Sequence, residues 1–247
     1  IWLAGFFALV AFVYASVGFG GGSTYTALLA LWGVDYRLIP VIALLCNIIV
    51  VTGGSIRFVR AGLVSWPQVM PLLLVSAPLA FLGGLVPLKQ WVFLTILGGA
   101  LLASAIALLL QPEKLSARTL PKPLLLAISG GVGLLAGLSG IGGGIFMAPI
   151  LHLIRWAEAR RIAAFASLYI LINSAAGLAG QVIKAGAQSL AGPAMEYGLL
   201  LAAVLVGGQI GSIFGMRYLS PRLLRTFTAI LVGYAALRLL WQAHGLS

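Results

Sequence analysis

Ile1–Val34 is a run of 34 residues without a charge, and Gly18-Phe19-Gly20-Gly21-Gly22 stands inside it. A second uncharged run, Pro123–Ile154, holds Gly140-Ile141-Gly142-Gly143-Gly144, the same G-x-G-G-G pattern 122 residues later. A 34-residue helix would be about 50 Å long at about 1.5 Å per residue, against a bilayer core of about 30 Å. Each run is too long for one straight span and short for two full ones. Three consecutive glycines weaken a helix where they stand. Each run is therefore predicted to break at its glycines, into pieces of about 17 and about 12 to 14 residues.

The rest of the chain sets the solvent. It is 62% hydrophobic and only 8% charged, where soluble domains carry about 25% charged residues. Further uncharged stretches cover Leu38–Ile56, Ala61–Leu88, Gln90–Pro112, Ile162–Ile183 and Tyr197–Met216. They lack the two-residue alternation of a membrane barrel. The chain is expected to be an all-α polytopic membrane protein, with later helices near 37–57, 64–86, 90–111, 160–183, 194–216 and 222–242.

Several function classes drop out. No G-x-x-x-x-G-K-[ST] phosphate loop is present, which argues against ATP-driven transport by this chain alone. The net charge of +11 suits cytoplasmic loops of a membrane protein rather than nucleic-acid binding. Cys46 is the single cysteine, so no disulfide or metal framework is expected. No cofactor is expected either, and no cleavable signal peptide is legible in the opening residues. An intramembrane enzyme would need paired carboxylates or a Ser-His arrangement beside an acid, and neither pattern is present.

The chain reads as a duplication. At an offset of 124, Gly53 matches Gly177, and Arg60-Ala61-Gly62 matches Lys184-Ala185-Gly186. Residues 1–113 and 122–247 read as two transmembrane repeats, joined by a connecting loop at 114–121. Each opens with a Gly-broken hairpin of short helices and continues with three spanning helices. If each opening run begins and ends on one side, 11 basic residues (among them Arg57, Arg60, Lys122, Arg155 and Arg160) share one face, against Arg37, Lys89, Lys184 and Arg238 on the other. A single crossing would divide them 8 against 7. Basic residues favour the cytoplasmic side in short loops, so the uneven division is preferred and the repeats are expected to be inverted.

Paired breaks in matching positions of two apolar halves point to a transporter's binding site. Helices starting after the two breaks would aim their N–H groups and positive dipole ends inward, which suits an anion. The candidate substrate-binding residues are Gly18, Gly20, Gly21, Gly22, Ser23 and Thr24 in the first break, and Gly140, Gly142, Gly143 and Gly144 in the second. Asn47 and Asn173, at comparable depth in the two halves, are weighed evenly between ligand contact and helix bridging; Ser167, Tyr169 and Ser174 share the neighbourhood of Asn173. Gating or steering roles for Arg57, Gln181 and His152 compete with snorkelling for Arg57 and with a packed neutral imidazole for His152. Asp35 and Glu158 read as local ion-pair partners, and Glu196 as a cap or interface residue. For Gly83-Gly84, Gly98-Gly99, Gly130-Gly131 and Gly207-Gly208, close helix packing is the preferred reading.

The segment Ser16–Ser23, Ser-Val-Gly-Phe-Gly-Gly-Gly-Ser, and its repeat Leu138–Gly144, Leu-Ser-Gly-Ile-Gly-Gly-Gly, resemble the sulfite exporter TauE/SafE family. The resemblance covers the whole chain, including Ala61-Gly62, Ala185-Gly186 and Gly207-Gly208-Gln209-Ile210-Gly211. One departure is the short Pro87–Gln90 link, where the second half has Arg217–Arg225. The resemblance implies secondary transport of sulfite, thiosulfate, sulfonate or sulfoacetate across the bacterial inner membrane by alternating access, coupled to a proton or ion gradient. The implied partners are a small anionic substrate and the lipid bilayer, with a homodimer left open. A passive anion channel is the alternative.

Overall fold

The computed structural model describes residues 2–16, 18–110, 120–186, 197–214 and 221–246. Glu196 and the link residues 215–220 lie outside them, as do 111–119 of the connection between the halves. The described residues form ten helices: α1 Trp2–Ser16, α2 Gly22–Leu31, α3 Ile39–Arg60, α4 Trp66–Leu85, α5 Gln90–Leu110, α6 Lys122–Ser139, α7 Gly144–Leu153, α8 Ala159–Ala185, α9 Gly198–Phe214 and α10 Pro221–His244. Four of these (α3, α4, α6 and α8) are long and apolar enough to cross a membrane. Trp2, Trp32, Trp66, Trp91 and Trp241 are exposed at helix ends, the level at which amphipathic rings meet lipid headgroups. The protein is an all-helical, polytopic membrane protein.

Both opening runs break at the glycines. Gly21 (φ 82°) and Gly143 (φ 80°) occupy the left-handed region immediately before α2 and α7. The pieces are 15 and 10 residues in the first run and 18 and 10 in the second. The second pieces are shorter than the sequence suggested, because each ends in an early left-handed stop. After α2, Gly33 (φ 79°) lets the Val34 N–H donate to the Leu29 carbonyl. After α7, Arg155 takes the equivalent place at φ 49°, and the Trp156 N–H donates to the Leu151 carbonyl. Such a five-residue closure satisfies orphan carbonyls at a helix end. The arginine hides the second stop from a reader looking for glycine.

Helix packing exchanges partners between the halves. Helix α1 packs on α9 and α6 on α4, while α3 packs on α8 and α5 on α10. Where α1 meets α9, Gly207 and Gly211 face the carbonyls of Ala8 and Phe12; where α6 meets α4, Gly133 and Gly137 face those of Ser76 and Ala80. Small residues let backbones approach this closely in lipid. The packing reading holds for Gly83, Gly84, Gly98, Gly130, Gly207 and Gly208, but Gly99 and Gly131 face open space and must be corrected. Consecutive helix positions point about 100° apart, so only one glycine of those pairs meets a neighbour.

The two hairpins open at opposite ends of the bundle. In the first, the Phe7 ring stacks on Tyr25 (4.9 Å), and the Tyr14 and Thr24 hydroxyls share a hydrogen bond of 2.9 Å, so α2 doubles back along α1. It opens where Arg238 donates to the Leu31 carbonyl and Lys184 to that of Val86. In the second, Lys122 at the start of α6 and Arg155 after α7 line one cavity with Pro67 and Gln68 from the start of α4. That cavity is at the other end of α4 from Val86.

Candidate substrate-binding site

The hairpin tips pass into the middle of the bundle and touch. A Cβ at Gly22 would strike the Ile141 carbonyl, so the start of α2 lies against the second tip. The two tips also share the same neighbours. A Cβ at Gly20 would lie 2.5 Å from Asn47 Oδ1 and 3.1 Å from Ile170 Cγ2. At Gly142 it would lie 2.7 Å from Asn47 Nδ2 and 3.1 Å from both Ile170 Cγ2 and Ser174 Oγ. Gly20 and Gly142 are the same position of the repeated motif. One residue of α3 and one turn of α8 thus separate two broken helices.

The centre is polar and poorly satisfied. Ser23, Thr24, Asn47, Ser167, Asn173, Ser174 and Gln181 are all buried. Asn47 Nδ2 reaches the Gly140 carbonyl over a long 3.4 Å. Among the described residues, the buried atoms Asn47 Oδ1, Asn173 Oδ1, Ser174 Oγ and the Tyr25 hydroxyl have no hydrogen-bond partner. An unmet buried polar atom costs about 1–3 kcal/mol and calls for a ligand or water that completes it. Two of these atoms, on Asn47 and Ser174, lie against the tips. Each helix N-terminus adds donors: the first intrahelical bonds come from Thr24 and Tyr25 to Gly21, and from Phe146 and Met147 to Gly143. The N–H groups of Gly22, Ser23, Gly144 and Ile145 precede those bonds, as at any helix start.

The other expected residues are distributed around this centre. Gly18 (φ 83°) packs against Phe58 and Ala163, and Gly140 (φ 81°) against Pro40. Thr24 is occupied by Tyr14. Tyr169 donates to the Ser129 carbonyl (2.6 Å) and its ring backs Gly143, which makes it a wall of the second tip. The Ser167 hydroxyl pairs with that of Ser55 (2.8 Å) and ties α8 to α3. Asn173 donates to the Tyr169 carbonyl of its own helix (2.8 Å) and is not among the nearest neighbours of the tip glycines. Gln181 donates to the Gly137 carbonyl (2.9 Å). Arg57 is exposed, its guanidinium beside Gln209 and Gly53. His152 is exposed in the last turn of α7, so the packed-imidazole reading is corrected.

Ile170 was missed by the sequence reading. Its signal is weak: it stands one helical turn before Ser174, on a stripe that continues to Gly177 and Gln181. Arg37 was also missed. It lies in the turn after α2, where its Nε donates to the Tyr36 hydroxyl (3.2 Å). That bond, with Asp35 nearby, raises its pKa further above an already high value.

No solved structure matches the chain. A curated relative, "Probable membrane transporter protein y4hK" of Sinorhizobium fredii (strain NBRC 101917 / NGR234), is 37% identical over 247 residues, covering 98% of this chain and 98% of its own. The family model described as "Sulfite exporter TauE/SafE" matches residues 2–239, both glycine tips included. With that match and that relative, the chain belongs to the sulfite exporter TauE/SafE family of membrane transporters.

Proposed function

We propose that the protein is a secondary transporter that carries small sulfur-containing anions, of the sulfite, thiosulfate, sulfonate or sulfoacetate type, across the bacterial inner membrane. The observation that carries this reading is the meeting of two broken-helix N-termini over Asn47, Ile170 and Ser174. Two opposed helix starts give a positive potential in a low-dielectric region, without the cost of burying lysine or arginine in the membrane. Clustered N–H groups and the Asn47 amide match an oxyanion that accepts several hydrogen bonds. The two tips touch where Gly22 meets the Ile141 carbonyl, which favours alternating access over a continuously open channel.

The experiment measures thermal unfolding of the purified protein with sulfite, thiosulfate, sulfoacetate and a short alkyl sulfonate. A true ligand at 100 times its Kd stabilises the state it binds by about 2.7 kcal/mol. At least one of these anions is expected to raise Tm beyond matched chloride; no rise with any would sink the reading. In proteoliposomes, an imposed proton or ion gradient is expected to drive that anion uphill. Flux that only dissipates its own gradient would favour the channel.

We also infer that 1–113 and 122–247 are inverted copies joined by 114–121. Support comes from the exchanged packing of α1 on α9 and α6 on α4, from the matched stops at Gly33 and Arg155, and from hairpins opening at opposite ends. The end carrying Lys122 and Arg155 is then cytoplasmic. Cysteines at Ser116 and Ser220, both outside the described residues, are expected to label from the cytoplasm, and one at Gln90 from outside. Native Cys46 is buried and stays silent. Labelling of Ser116 and Gln90 from the same side would overturn the topology.

A further inference from the structure

The site between the tips leaves two cations unused. Arg37, in the turn after α2, and Lys184, in the last turn of α8, line a cavity of about 270 Å³ at the end where the first hairpin opens. Both are exposed, while Gln181, also lining it, is buried. Pro40 and Leu138 are further walls. A Cβ at Gly140 would lie 2.6 Å from Pro40 Cα, so the cavity ends against the second tip. Pro40 thus stands between this vestibule and the second tip.

Among the described residues, no carboxylate lines this cavity. Asp35 lines the neighbouring one, and its Oδ1 accepts the Arg37 backbone N–H (2.9 Å) rather than the guanidinium. The Arg37 guanidinium rests over the Tyr36 ring, 5.5 Å from its centre. Lys184 Nζ donates to the Val86 carbonyl (3.3 Å). Each cation is held by a neutral oxygen, which fixes its position without cancelling its charge. An arginine carries five N–H donors and a lysine three, so both keep donors for another acceptor. Like charges converging on a cleft with low-dielectric walls focus the field and concentrate counter-ions there.

We propose that this vestibule is an outer recognition site for the transported oxyanion, in which Arg37 and Lys184 capture the anion before it reaches the second glycine tip. The proposal rests on the anion-transport reading above. The guanidinium offers a planar fork suited to an oxyanion, and the ammonium a point charge beside it.

The test is initial-rate sulfite flux from the vestibule side in proteoliposomes, at low and high salt, for the wild type, R37Q/K184Q and R37K. The double variant is expected to raise the apparent KM for sulfite about tenfold at low salt, flatten the salt dependence and keep the maximal rate. R37K keeps the charge but loses the planar fork, so it is expected to keep the wild-type salt dependence and to raise the apparent KM less than the double variant does. Both side chains are exposed, so the variants are expected to fold, which elution as a single species checks. Wild-type flux with an unchanged KM and salt dependence in the double variant overturns the outer site and leaves the transport reading standing. A wild type that moves no sulfur anion removes the transport reading. The vestibule is then judged by sulfite-dependent thermal stabilisation: its loss in the double variant supports the site, and its persistence or absence in the wild type overturns it.

Discussion

Replacing Gly143 by leucine is expected to abolish anion flux in proteoliposomes while leaving a protein that still inserts and elutes as a folded species. Gly143 has φ 80°, and a Cβ there would lie 2.9 Å from Tyr169 Cε1 and 3.0 Å from Val132 Cγ1. A side chain in the left-handed region costs about 1–2 kcal/mol, a tolerable loss for ten packed helices. The damage is local: the residue caps α7, and turning it out of the left-handed region re-aims the N–H groups of Gly144 and Ile145. Gly21→Leu tests the matching cap in the first half, where φ is 82° and the Tyr14 ring is 3.3 Å away. Sulfite flux in both variants, normalised to folded protein, is the measurement. Normal transport by both would make the tips mere packing surfaces and move the site elsewhere.

Replacing Gly137 by valine is expected to act on the fold itself. Its Cβ would land on the Ala80 carbonyl and within 2.9 Å of the Gly84 backbone nitrogen. Backbone cannot swing aside as a flexible side chain does, so α6 would have to lift off α4. Gln181 would lose the Gly137 carbonyl it now reaches, leaving a buried amide unmet. Overpacking costs typically about 1–3 kcal/mol, and the upper end applies because the obstacle is main chain. A clear drop in Tm in detergent, or loss of the folded peak, is the expected readout. Gly131→Val is the control: it faces open space and is expected to leave Tm nearly unchanged, so equal losses in both would refute the packing account.

How much of this was legible depended on range. The breaks at Gly21 and Gly143 were readable because glycine triplets act through the backbone of their own segment. The ends of α3 and α8 were read a little short, near 57 and 183, while the helices run on to Arg60 and Ala185, where Gly62 and Gly186 follow with φ 66° and 78°. The stop at Arg155 was not readable, since a side chain that normally avoids positive φ stands where the first half has Gly33. Among the polar residues, Asn47 was found as a candidate, yet nothing local distinguishes it from Asn173. The first lies between both tips, and the second bonds its own helix.

By itself the sequence determined that the chain lives in a bilayer, that it is built from helices, and that two of its segments must break at glycines. Those are consequences of hydropathy, length and backbone freedom, which each segment carries alone. Only the tertiary structure decided that Asn47 and Ile170 serve both tips, that Gly130 packs while Gly131 does not, and that Arg37 and Lys184 share one vestibule. These depend on which face of one helix meets which face of another. Periodicity offers several faces, and the close approach of distant backbones selects among them.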